Sequence, residues 1–334
     1  MNHGSASRKR TDCGEPAGRK MTVGAGELNV VTGAFGYTGR YITQRLLSAG
    51  ERVRTLTGHP DRSNPFGDCV SVAPFNFEDP AELVRSLKGA TTLYNTYWVR
   101  FAHGDSTFDR AVHNTKVLIR AAEEAGIRRI VHISITNPCE DSPLPYFRGK
   151  ATLERVIVSS KLSYAIIRPA VIFGGGEDIL INNIAWLLRH FPVFGVPGSG
   201  EYRLQPVFVG DLAEIAVDAA QRDRNVILDA VGPEIYAFKQ LVDLIADAVG
   251  SKARIAHLSK ERTLSVVRLL GWLVRDIVLT AEEVEGLMSD LLVSSDAPRG
   301  KTRLSDWLRQ NADHVGVRYA SELERHYRTA GGTH

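Results

Sequence analysis

Tyr146 and Lys150, four apart in "YFRGKATLE", are the residues of this sequence best placed to move a proton. On a helix that spacing puts both on one face. A lysine there can lower the tyrosine's pKa and bond a cofactor ribose, while the tyrosine gives or takes a proton at a substrate oxygen. On a solvated helix the same spacing would mean little, but the pair follows a β-rich run ending in "HISIT". The Ser134 and Thr136 hydroxyls would emerge at that strand's end, beside the pair. The glycines Gly33, Gly36 and Gly39 of "VTGAFGYTGR" suggest a different chemistry. Without side chains in the way, the first-turn N–H groups of a helix and its positive dipole end can meet a diphosphate. Phe35, Tyr37 and Thr38 complete that cradle.

These groups act together only if a sheet presents them along one edge. Apolar β-rich runs at 28–33, 52–57, 69–73, 91–95, 129–134 and 163–168 alternate with helical stretches at 37–49, 80–87, 106–125 and 146–160. That alternation builds an α/β fold, a doubly wound parallel sheet of Rossmann type. Helices stop at glycine in "LLSAGERV" and "AAEEAGIRRIV", where a left-handed cap turns the chain into the next strand. Residues 28–180 form the dinucleotide-binding part, and 205–231 return a helix and a strand to the sheet. Residues 181–204 and 232–330 form a smaller, mostly helical region on the substrate side.

The end of the second strand bears on which dinucleotide is held. An NAD-specific site carries an acidic residue there for the adenosine ribose, whereas this sequence has Thr57, 24 residues after Gly33 and followed by "GHPDR". His59, Arg62 or Arg40 could meet a 2′-phosphate, so NADP(H) is favoured over NAD(H). Asn76, after the third strand, could bond the adenine edge or simply open a turn.

In their joint order, "VTGAFGYTGR", "HISIT", "YFRGK", "IIRPAVIFG" and "LQPVFVGDLA" resemble the extended and atypical short-chain dehydrogenase/reductases over residues 28–231. The sequence looks most like the branch containing the nucleotide-binding accessory subunit of respiratory complex I. The resemblance implies that Gly33, Gly36 and Gly39 hold the diphosphate and that Tyr146 and Lys150 are the proton-transfer pair. Thr136, or less favourably Ser134, would polarise the substrate carbonyl. Asn114 would support the site from a helix, and Pro169 to Phe173, Val171 included, would lie along the nicotinamide. Two departures narrow the chemistry. Thr136 is followed by "NPCED" rather than the Asp-Glu pair of the dehydratases, and Thr57 replaces the acid expected of epimerases.

Composition excludes other classes. The 41 basic and 38 acidic residues are mixed along the chain for a net charge of +3, which gives nucleic-acid binding no support. Three scattered cysteines suggest neither a disulfide framework nor a zinc ribbon, and a reducing cytoplasm fits them. Ten histidines without HExxH or a carboxylate cluster predict no metal, and His132 reads as a packed residue. The first 27 residues read as a disordered polar tail, with Met21 a second candidate start. Residues 263–280, apolar nearly all round apart from Arg268 and Arg275, are too short and charged to span a bilayer. They read as a buried or oligomer-facing helix, or as one lying in a membrane interface or walling a lipidic pocket. Trp98, Phe101, Trp186 and Phe194 read as core or as the lining of a hydrophobic substrate pocket. Two functions remain open. One is an NADPH-dependent reductase of a carbonyl or activated double bond in a small, hydrophobic substrate. The other is a catalytically silent NADP(H)-binding protein working in an assembly.

Overall fold

The computed structural model describes residues 26–326, so the tail and Met21 lie outside the described residues. The expected alternation is present: β1 (Leu28–Thr32), α1 (Tyr37–Ser48), β2 (Arg52–Thr57), β3 (Val70–Pro74), α2 (Pro80–Leu87), β4 (Thr92–Asn95), α3 (Phe108–Ala125), β5 (Arg129–Ile133), α4 (Pro145–Val158) and β6 (Ser163–Pro169). Then come β7 (Val171–Phe173), α5 (Leu180–His190), β8 (Val193–Pro197), β9 (Arg203–Leu204), β10 (Pro206–Phe208), α6 (Val209–Ala220) and β11 (Val226–Ala230). The chain continues through β12 (Tyr236–Ala237), α7 (Phe238–Ala248), β13 (Arg254–Leu258), α8 (Lys260–Val274), α9 (Ala281–Met288), α10 (Leu304–Gln310) and α11 (Glu322–His326).

Seven of these strands make one parallel sheet in the order β11-β6-β5-β4-β1-β2-β3. The order reverses direction beside β1, which pairs with β2 on one side and β4 on the other. Ligands of such sheets bind in the crevice outside that switch point. Each face of the sheet has its own core. Val31, Ile42, Leu46 and Leu212 pack on one, while Val30, Leu83, Leu118 and Ile157 pack on the other. Gly126, at φ 79, ends α3 in a left-handed cap, as "AAEEAGIRRIV" predicts.

A third core, around Phe173, Ile184, Phe194, Leu241 and Leu308, joins α5, α7, β8 and α10. From α9 to α10 the chain runs as a strap across the ends of the sheet strands. Gln205 N–H donates to Leu292 O at 2.9 Å, and Gly300 N–H donates to Val231 O at 2.9 Å.

Two expectations need correction. Residues 263–280 are not one helix, because α8 starts at Lys260 and stops at Val274, where Arg275 turns left-handed at φ 54. Asp276 N–H closes that turn on Gly271 O at 3.0 Å. The side chain of Asp276 is thereby aimed at the start of α11, accepting from Glu322 N–H at 3.0 Å and Leu323 N–H at 3.1 Å. Nor is α8 apolar all round and buried, since Thr263 is its one buried residue. Cys139 is exposed and free, whereas Cys69 is disulfide-bonded, which the scattered cysteines did not suggest.

Candidate functional site

The glycine turn is shaped as its spacing requires. Gly33 leaves β1 at φ 67, a left-handed conformation that favours glycine. A Cβ on Gly39 would collide with the Gly33 carbonyl, so only glycine lets α1 start this close to the strand. Gly36, the N-cap, has no side chain to cap the helix. Ala34 N–H donates to Thr55 Oγ1, and Gly36 N–H donates to Gly33 O. Among the described residues no acceptor meets the N–H groups of Phe35, Tyr37, Thr38 or Gly39. A helix start with open donors and no cap fits a diphosphate.

A loop after β7 walls this cradle. Tyr37 OH donates to Gly174 O at 2.9 Å, and Arg40 pairs with Glu177 at 2.6 Å. Burial first, then the charge of Asp178, holds the Tyr37 hydroxyl well above its ordinary pKa, so it stays a donor. Arg325, from α11, donates to Glu177 O and lies over the Tyr37 ring at 5.9 Å.

On the adenine side Thr57 ends β2 and is buried, its hydroxyl accepting from His59 N–H at 3.1 Å. No carboxylate replaces it. Arg62 donates to Arg325 O, so it and Arg40 both already have partners in the protein. Asn76 adopts φ 46 and its carbonyl accepts from Asp79 N–H, which is the turn its sequence allowed. Phe75, Phe77 and Tyr97 cluster there, the first two stacked at 4.8 Å between ring centres.

At the other end, Pro145 at the first helical position starts α4 and places Tyr146 and Lys150 on one face. The Tyr146 ring is edge-on to Trp98 at 5.7 Å and to Phe108 at 6.0 Å. Burial raises its pKa, and the charge of Glu283 adds to the shift, so the hydroxyl carries its proton at neutral pH. Lys150 is 3% exposed. Its Nζ donates to Ile133 O at 2.8 Å and sits 4.5 Å above the Trp98 ring. Burial lowers its pKa to about 7 despite Glu154. Trp98 fits this closely because residue 149 is glycine: a Cβ there would lie 2.7 Å from the indole.

The remaining predicted residues are close by but have protein partners. Thr136 Oγ1 donates to Leu291 O of the strap at 3.0 Å, and its N–H donates to Pro169 O at 2.9 Å. Asn137, at φ 52, donates to Leu291 O and Val293 O, both at 2.8 Å. Ser134 donates to Glu154, the buried partner of Arg168, and so faces that ion pair. Asn114 donates to Tyr97 OH at 2.9 Å. Val171 is buried and pairs with Pro206 in a short parallel ladder. A further pair, Arg100 and Glu283 at 2.6 Å, joins the end of β4 to α9 beside Tyr146. Among the described residues no three His, Cys, Asp or Glu side chains gather as a metal site. His132 is buried and bonds Asn95, and burial keeps it neutral.

Sequence reasoning grouped Trp98 only among apolar residues, and missed the Arg100–Glu283 pair and the strap. Each joins segments distant in the chain, so no local spacing announces it.

With this geometry in view, the match to known proteins is specific: residues 33–178 fit the family model described as NAD(P)H-binding. The chain is 24% identical over 292 residues to the mitochondrial NADH dehydrogenase [ubiquinone] 1 alpha subcomplex subunit 9 of Arabidopsis thaliana, covering 82% of this chain and 72% of that one. It is 24% identical to the 4-hydroxy-2-methyl-3-oxo-4-farnesyl-3,4-dihydroquinoline-1-oxide ketoreductase of Stigmatella aurantiaca, covering 74% of this chain and 81% of the other. In fold it is similar to the Citrobacter sp. triphenylmethane reductase complexed with NADP(H), with TM-score 0.69, 18% identity, and coverage of 84% of this chain and 99% of that one.

Proposed function

We propose that the protein is an NADP(H)-dependent reductase of a carbonyl or activated double bond in a small, hydrophobic substrate. The observation that carries this reading is Tyr146: a protonated hydroxyl in an aromatic enclosure, on one helix face with Lys150, on the helix that follows β5 of the same parallel sheet whose β1 leads into the glycine turn. Bound NADPH would supply the hydride. Tyr146 would donate its proton to the oxygen that becomes negative as hydride arrives; burial keeps the hydroxyl protonated until then but disfavours the tyrosinate that donation leaves, so the step needs a cation beside it. Lys150, brought to near neutrality by burial, can regain a proton and stabilise the tyrosinate. Trp98, Phe108 and Phe147 exclude water and favour an apolar substrate, in keeping with the farnesylated substrate in the name of the Stigmatella relative. NADP(H) is preferred because no carboxylate stands at Thr57 to repel a 2′-phosphate.

A second reading has its own support. Lys150 and Thr136 are bonded to backbone carbonyls of the protein itself, as a silent NADP(H)-binding member would have them, and the Arabidopsis relative is a subunit of an assembly. Consumption of NADPH with a panel of hydrophobic quinones and ketones separates the two. A reductase loses turnover on Tyr146→Phe while NADPH affinity, read by nucleotide fluorescence, stays. Unchanged turnover in that variant overturns the assignment of Tyr146, and binding of NADPH with no turnover of any panel member favours the silent reading.

A further inference from the structure

The outer face of α8 is unlike the rest of the surface. Leu269 is 67% exposed, Trp272 80% and Leu273 57%, and at this helical spacing they form one apolar stripe. Exposed Arg268 and Arg275, seven residues apart, edge the stripe, and exposed Arg262 stands nearer the helix start. Residues 260–275 hold four basic residues and one acidic residue, Glu261, so the face is cationic as well as apolar. Lys260 pairs with Glu285 of α9 at 3.0 Å.

Behind the same helix lies a cavity of about 210 Å³, walled mainly by Ile184, Leu187, Phe194, Val266, Val267 and Leu270. Val266 is both a wall of this cavity and 41% exposed, so the cavity and the outer stripe meet at that residue. Among the described residues no helix is long and apolar enough to cross a membrane.

We propose that α8 lies along the surface of an anionic lipid bilayer and that the cavity behind it takes one hydrocarbon chain from that surface. Charge complementarity selects the occupant. Arginines beside an exposed tryptophan and leucines match the phosphate and acyl boundary of a bilayer, whereas a protein partner would have no need of an apolar cavity opening at the rim of the interface. Leu269, Trp272 and Leu273 enter the acyl boundary and the arginines meet lipid phosphates. A chain displaced by this insertion slides past Val266 toward Leu270.

Binding alone tests this, so failure here is distinct from failure of the reductase reading. The full chain is sedimented with vesicles of phosphatidylcholine alone or with added phosphatidylglycerol. Binding is expected to rise about tenfold with the anionic lipid, to weaken in high salt, and to shift tryptophan emission to shorter wavelength, a shift lost in Trp272→Phe. Leu269→Asp/Leu273→Asp, at exposed positions and checked by thermal melting, is expected to abolish binding, and Arg262→Glu/Arg268→Glu to remove the anionic preference. Wild-type binding by the aspartate variant overturns the docking face. For the cavity, native mass spectrometry of protein recovered from vesicles should show one retained lipid, absent in Leu270→Trp and in Val267→Phe. No retained lipid in the wild type, or equal retention in both folded variants, overturns the chain site.

Discussion

The two ends of the crevice differ in how their polar groups are used. At the glycine end, the N–H groups of Phe35, Tyr37, Thr38 and Gly39 have no protein acceptor among the described residues. At the other end, Lys150 is bonded to Ile133 O under Trp98 and Thr136 to Leu291 O. One end is built for a ligand in advance, while the other satisfies itself in the ligand's absence. Buried polar groups explain the contrast. An unpaired ammonium or hydroxyl in an enclosed apolar site is costly, whereas helix N–H groups at an open turn can be satisfied by water. The chemistry end can therefore be used only if substrate and nucleotide replace the bonds that Lys150 and Thr136 now make.

Four measurements press on that contrast. The largest effect is expected from Tyr146→Phe, which should lower turnover by about 100-fold to 10,000-fold with unchanged NADPH affinity; a comparable loss of affinity would mean the ends are not separate. Gly39→Val is the mirror test. Its side chain meets the Gly33 carbonyl, and the strain should weaken NADPH binding about tenfold to 100-fold, matching about 1–3 kcal/mol. Thr57→Asp should shift the ratio of NADPH to NADH affinity by about tenfold toward NADH, leaving turnover at saturation nearly the same. Last, Lys150→Met should remove a pH dependence of stability. Folded Lys150 loses its proton near pH 7 while the unfolded side chain keeps one to about pH 10. The unfolded state thus holds more protons in that window, and wild-type stability should rise with pH by at most about 1.4 kcal/mol per unit relative to the variant. Denaturant melts at several pH values measure it.

Much of this was legible in the sequence because it is local. Strand and helix periods predict β1 to β6 and α1 to α4 within two residues, and β11 returns to the sheet beside β6 as 226–231 suggest. The turn at Gly33 and the shared face of Tyr146 and Lys150 follow from spacing alone. The chemistry around that pair does not. Trp98 over Lys150, Leu291 on Thr136 and Glu283 near Tyr146 are meetings of segments far apart in the chain, set by how the C-terminal region packs. The end of α8 was misread for a related reason. Val274 to Leu279 is apolar enough to continue a helix, but the chain turns at Arg275 so that Asp276 can receive α11.

That turn couples distant parts of the molecule. Asp276 lies just past the end of α8, proposed above to meet lipid, and holds the start of α11, from which Arg325 reaches Glu177 and Tyr37 beside the cradle and offers its carbonyl to Arg62. A nucleotide that draws Arg62 away from Arg325 would loosen α11 and, through Asp276, the end of α8. Such a linkage runs equally in both directions. Whatever factor the nucleotide imposes on lipid affinity, the lipid surface must impose on nucleotide affinity.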